Sequence, residues 1–295
     1  MSAVYKKELR SYFTTVYAFI FVALIAATAG IFFTLFNLLG GVSQFESSMF
    51  YVCLIFIITV PILTMRSYSE ERSRKTEGLL CSLPLSVKDI VLGKFFALLT
   101  VFAIPVVMIS FLPLILSLFG KVNLAIAYTS ILGFILLGCA LLSLGLFISS
   151  ACKSQVVSAI ISFVVLLVFF LLDLFGSALE VILPTNAFPN VIMFTILAIA
   201  AGALAWLFSK NLLIGMLTAI AVEIPVAALG IIGNVTNNSY MVNGFSHFLS
   251  KLSLFGSLSA FLNGLFDLSA VVYFLGVTAI ALVLTVRCVD QRRWN

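Results

Sequence analysis

Ten of the chain's 27 Asp, Glu, Lys and Arg residues fall in one window, "MRSYSEERSRKTEGLLCSLPLSVKDIVLGKF", positions 65 to 95. They are Arg66, Glu70, Glu71, Arg72, Arg74, Lys75, Glu77, Lys88, Asp89 and Lys94, in a sequence that is only 9% charged. Their spacing suits recognition rather than bond-making. Glu70 with Arg74 and Glu71 with Lys75 are i,i+4 pairs with the acid first, which supports a short helix. Leu79, Leu80, Leu83 and Leu85 follow among polar neighbours, and apolar side chains in a wet segment form a docking surface. The same leucines could instead lie against a membrane interface with the charges reaching out to water. Ser86 is placed to cap a helix, with Asp89 at its third position.

Other chemistry is sparse. "VLGKFF" contains Gly93-Lys94, but Lys88 stands where a phosphate-binding loop requires glycine and Phe95 where it requires a hydroxyl residue. The chain is therefore read as a non-enzyme without its own nucleotide-binding motif. His247 is the only histidine, which argues against a His-pair zinc motif and against a membrane-embedded Ser-His-Asp triad. The five cysteines (Cys53, Cys81, Cys139, Cys152, Cys288) show no C-x-x-C spacing and are expected to be free thiols. Glu223, in "TAIAVEIPVAALG", is the one carboxylate near the middle of an apolar run. A charge there costs at least about 3 kcal/mol, so Glu223 either faces a substrate or ion path or bonds to backbone freed by Pro225.

The elements that must position these residues are long apolar runs. With 63% apolar residues, 29 Phe and a mean hydropathy of +1.25, the chain has more apolar surface than a soluble core could hide. It is read as an all-α integral membrane protein, a single polytopic domain over 1–295. Runs long enough to cross a bilayer lie near 16 to 38, 49 to 65, 95 to 119, 124 to 149, 156 to 175, 191 to 208, 212 to 232 and 271 to 286, about eight helices. A cytoplasmic N-terminus puts 14 of the 16 basic residues inside and leaves Lys121 and Lys251 outside. Both termini are then cytoplasmic, and so is the loop 66–94. The net charge of +5 follows from this topology and does not indicate a nucleic-acid partner. Residues 1–15 pattern as an interfacial helix, Tyr5, Leu9, Tyr12, Phe13 and Val16 on one side and Lys6, Lys7 and Arg10 on the other, or as a simple basic anchor. Residues 233–270 pattern as an external amphipathic segment, and Gly133, Gly138, Gly145, Gly202 and Gly215 indicate close helix packing.

Met65-Arg66, Ser69-Glu70-Glu71-Arg72, Thr76-Glu77-Gly78-Leu79-Leu80, Leu83-Pro84 and Ile90-Val91-Leu92-Gly93-Lys94 together resemble the signature loop of ABC-2 type transporter permeases. The branch named for gliding motility and copper-enzyme maturation is the most similar. "YKKELRSYFTTVYAFIF" and the C-terminal "LSLFGSLSAFLNGLFDLSAVVYFL" extend the resemblance, over roughly 1–175 and 250–295. An additional hairpin at 191–232 departs from the six-span pattern. The resemblance implies that the loop forms a coupling helix seated on a separate ATP-binding subunit, through Glu70, Glu71, Arg72, Thr76, Glu77, Leu79, Leu80, Leu83 and Pro84. ATP and magnesium would belong to that partner and no cofactor to this chain. A second permease copy or paralogue would complete the complex, an exporter in a bacterial cytoplasmic membrane. Two other functions suit the residues: an ion-coupled secondary transporter, for which Glu223 would be the lone candidate, and a non-transporting membrane scaffold.

Overall fold

A computed structural model of the chain describes residues 2–42, 44–73, 86–182 and 252–293. Those residues are helical with short connections. The order is α1 (Ser2–Phe13), α2 (Val16–Phe32), a π-helical stretch (Phe33–Leu39), α3 (Phe45–Leu54) and α4 (Phe56–Ser73). After these come α5 (Val87–Ser110), α6 (Leu112–Ser117), α7 (Leu124–Ala151), α8 (Gln155–Ile182), α9 (Leu254–Leu262) and α10 (Leu268–Arg293). Five stretches are long and apolar enough to cross a membrane: Val16–Leu39, Val87–Ser117, Leu124–Ala151, Gln155–Leu174 and Leu268–Gln291. Counted as one span, the bent pair α3 and α4 makes a sixth. The expected spans at 191–208 and 212–232 lie outside the described residues.

The second span departs from the straight helix expected at 49 to 65. It begins at Phe45, breaks at Ile55, turns by 45° and runs on to Ser73. Pro61 lies inside α4, beyond that break, and leaves the Ile57 carbonyl without its helical N–H partner. The first span ends in π-helical turns rather than α-helix, and its Asn37 is drawn inward. Asn37 Nδ2 donates to the carbonyls of Val42 and Gln44 at 2.8 and 3.1 Å, and Ser48 Oγ donates to Asn37 Oδ1 at 2.5 Å. That amide holds the turn into α3, where Gly41 takes a φ of 65°.

Residues 1–168 and 257–295 form one compact unit around α7. In this unit α10 and α4 pack on α7 most extensively, and α5 packs on α7 and on α1. Glycines along α7 set those distances, as their spacing in sequence suggests. A Cβ on Gly133 would meet Phe261 Cβ at 2.7 Å, one on Gly138 the Phe102 ring at 2.4 Å, and one on Gly145 Thr64 Oγ1 at 2.4 Å. Between them Phe56, Phe102 and Phe134 form an aromatic core, with Phe56 and Phe134 stacked at 4.7 Å. Residues 169–256 form a second unit, described at 169–182 and 252–256. There Phe170 meets Phe255 edge-on at 5.5 Å, and Ser253 Oγ donates to the Phe169 carbonyl at 3.2 Å.

Candidate functional site

The charged window begins inside the fold. Lys94 lies two turns into α5, its side chain 1% exposed, and each ammonium proton has an acceptor. Nζ lies 3.0 Å from Glu8 Oε1 of α1, 2.9 Å from Glu71 Oε2 of α4 and 2.6 Å from the Ser67 carbonyl of α4. The Tyr68 ring stands 4.8 Å from the same nitrogen. Lys7 donates to the other Glu71 oxygen at 3.0 Å, so two lysines balance two carboxylates. Removing any one leaves an unbalanced charge in a low-dielectric site. Burial is the main cause that lifts the Tyr12 phenol above its ordinary range, with the Glu8 carboxylate adding to it.

The neighbouring charges make similar joints. Arg66 pairs with Glu70, donates to Thr15 Oγ1 and to Ser11 Oγ, and lies over the Tyr17 ring, so it ties the α1–α2 junction to α4. Arg72 donates to the carbonyls of Cys152 and Ser150 at 2.5 and 3.0 Å. Those carbonyls end α7, where helix geometry leaves acceptors unfilled and the dipole favours a cation. Ser69 Oγ donates to the Ser149 carbonyl at 3.1 Å, and Ser149 Oγ donates to the Met65 carbonyl at 3.3 Å. Beyond the gap in the described residues, Ser86 caps α5 as its spacing suggests. Its Oγ accepts from the Asp89 N–H at 3.2 Å and donates to Asp89 Oδ2 at 2.6 Å.

Of the sequence-selected site residues, Glu70, Glu71 and Arg72 are thus brought together at the ends of α4 and α7, each with a partner in the chain. Thr76, Glu77, Leu79, Leu80, Leu83 and Pro84 lie outside the described residues, as do Glu223 and His247. Glu8 was missed by sequence reasoning. Its signal was available: it is the lone acid of α1, one turn from Val4 and one from Tyr12, and these three are the helix's buried row. The packed face of α1 is that row, and Phe13 and Val16, expected on the apolar side of an interfacial helix, are exposed. An i,i+4 stripe with one acid in it reads as polar when scored by residue type, although the acid points at a buried base. The cysteines described, Cys53, Cys139, Cys152 and Cys288, are free thiols as expected.

An all-helical chain with this many apolar helices of spanning length, charged side chains concentrated at one end, is a multi-pass membrane protein. Residues 5–213, more than two thirds of the chain, match the family described as ABC-2 family transporter protein. The chain belongs to that family and is a membrane permease of the ABC transporter class. The match names the family and not the branch within it. It also runs on through 176–213, into the hairpin that the sequence reading set apart from the family pattern, and ends before residues 250–295. No curated protein and no solved structure matches the chain.

Proposed function

We propose that the chain is the transmembrane subunit of an ATP-driven ABC-2 exporter, receiving mechanical work from a separate ATP-binding subunit through residues 74–85. The supporting observation is that both ends of that segment arise from one ion-paired block. Glu71 at the end of α4 and Lys94 at the start of α5 bind each other at 2.9 Å, and Glu8 of α1 joins them. A load on the segment between Ser73 and Ser86 is then shared by α1, α4 and α5, and through Arg72 by α7. Helices joined this way move as one body and shift the balance between two packed arrangements. Exposed ion pairs would transmit little, because solvent screens them.

In this reading Thr76, Glu77, Leu79, Leu80, Leu83 and Pro84 make the contact with the partner, while Glu70, Glu71 and Arg72 brace the segment from behind. The block faces the cytoplasm. Among the described residues every basic side chain except Lys121 belongs to helix ends or junctions on the α1 side, as the positive-inside rule requires of an inward-facing end. Two permease chains, identical or related, would form the path, and the ATP and magnesium would be held by the partner.

Copurification tests the reading. The tagged chain should carry an ATPase with it, and Leu79→Asp with Leu80→Asp should abolish both association and stimulated ATP hydrolysis. Transport that continues without nucleotide but stops when the proton or sodium gradient is collapsed would replace this reading with an ion-coupled carrier.

A further inference from the structure

The start of α3, the start of α7 and the end of α9 line one cavity of about 510 Å³. It lies a span's length along the second span from Glu71 and along α7 from the carbonyls that Arg72 holds, so it is at the end opposite the ion-paired block. Glu46 in the first turn of α3 and Lys121 in the connection before α7 both line it. They form no ion pair with each other or with any other described residue. Gln44, Asn123 and Asn263 line it too. The Asn123 oxygen accepts from the Ala125 N–H at 3.2 Å and caps α7, while its NH2 group has no partner among the described residues. The side-chain amides of Gln44 and Asn263 likewise have none there.

We propose that this cavity holds the headgroup of a zwitterionic phospholipid, with its ammonium on Glu46 and its phosphate on Lys121. Charge decides the class. A purely anionic group would meet Lys121 but face the Glu46 carboxylate, and a purely cationic group would meet Glu46 but face Lys121. A neutral sugar would use the amides and leave both charges without a role. A zwitterion satisfies both, and the NH2 groups of Gln44, Asn123 and Asn263 are donors for the other phosphate oxygens. The apolar surroundings separate a lipid from a free zwitterion. Phe50, Ile126 and Leu262 complete the lining. Leu118 and Phe119, just before Lys121, are 82% and 74% exposed, and Leu265 and Phe266, just after Asn263, are 65% and 64% exposed. Large apolar side chains left open beside a polar pocket, at the ends of spanning helices, are suited to cover by acyl chains. Binding there requires no ATP-binding partner.

The full-length chain in mild detergent is assayed by native mass spectrometry against phosphatidylethanolamine, phosphatidylglycerol of the same chain length, and the soluble headgroup glycerophosphoethanolamine. The wild type should retain one phosphatidylethanolamine in preference to phosphatidylglycerol. Glu46→Gln and Lys121→Gln should each weaken that binding about tenfold. Glu46→Lys makes the cavity doubly cationic and should invert the preference toward phosphatidylglycerol, which a purely structural role for Glu46 would not produce. Lys153→Gln removes an exposed charge at the opposite end and should leave binding unchanged. Equal loss in Lys153→Gln, or a Glu46→Lys variant that still prefers phosphatidylethanolamine, would overturn the site. Equal retention of the two lipids by the wild type would overturn the zwitterion. Displacement of the lipid by an equimolar amount of glycerophosphoethanolamine would overturn the lipid as its source. An unchanged melting temperature in each variant excludes unfolding as the cause.

Discussion

The two ends of the described bundle are held together by different forces. At the α1 end, four elements are joined by charges: Lys94 with Glu8 and Glu71, Lys7 with Glu71, Arg66 with Glu70, and Arg72 with the carbonyls that end α7. At the other end the links are neutral. Phe32, Tyr51 and Phe36 stack with centroids 4.9 and 5.0 Å apart, and Asn37 pins the turn between the π-helical stretch and α3. Charged residues are present there but stand apart. Glu46 and Lys121 both line a cavity of about 510 Å³ with Gln44, Asn123 and Asn263, and neither has an ion-pair partner among the described residues. Ion pairs lock partners in one geometry at a large desolvation cost, whereas stacked rings carry no charge that must be neutralised. The stiff joint therefore lies where force is proposed to enter, and the end facing the other side keeps its charges unspent.

The largest test of this contrast is Lys94→Met. It leaves Glu8 with only the longer pair to Lys7 at 3.8 Å and removes one of the two cations on Glu71, and should cost about 3–5 kcal/mol of stability. Denaturation of the purified chain in mixed detergent micelles measures it. Adding Glu8→Leu to Lys94→Met should recover most of the loss, because an apolar pair of similar volume often matches a buried ion pair. If transport or ATPase stimulation stays low in the double variant while stability returns, the ion pairs serve force transfer rather than folding. Full activity in the double variant would remove the argument for a charged joint. Asn37→Ala is next in size. It strips a donor from the Val42 and Gln44 carbonyls and an acceptor from Ser48, and should cost about 1–3 kcal/mol by the same denaturation assay. A loss as large as that of Lys94→Met would mean that the two ends are equally braced.

Much of this architecture was legible in the sequence, and the failures have physical causes. Apolar runs at 16 to 38, 95 to 119, 124 to 149, 156 to 175 and 271 to 286 reappear as helices because length and hydropathy decide spanning. Ser86 was legible because a cap is a local bond over three residues. The bend at Ile55 was hidden by the unbroken apolar run around it. The site was half legible. Clustering of Glu70, Glu71 and Arg72 drew attention to the right place, while Arg74 and Lys75, their expected i,i+4 partners, lie outside the described residues. The long-range partners were not legible, since Glu8 and Lys94 are 86 residues apart and no local pattern reports such a meeting.

Ser86→Ala probes the far side of the proposed coupling segment with a smaller effect. The serine fills the Asp89 N–H and holds the Asp89 carboxylate in the first turn of α5, where the helix dipole favours an anion. Its loss should cost about 1 kcal/mol and fray the first turn of α5, one to two turns before Lys94. Hydrogen exchange at the amides of residues 88–90 should quicken, while amides beyond Lys94 keep their protection because the buried cluster pins the helix there. Faster exchange that spreads past Lys94 would show that the cap, and not the ion-paired block, anchors the start of α5.

The smallest expected effect belongs to the opposite end, and it decides whether the contrast is real. Lys121→Gln and Glu46→Gln should leave the melting temperature unchanged, singly and together, because neither charge is satisfied by a partner that its removal would strand. Glu46 lies in the first turn of α3, where the helix dipole gives it only a weak, screened preference. A clear fall in melting temperature for either variant would reveal an unrecognised ion pair and make the two ends alike. With stability unchanged, any altered transport in these variants would have to arise at the cavity itself. Unpaired charges around open space can be spent on something that enters it, whereas the charges of the Lys94 cluster are already spent on one another.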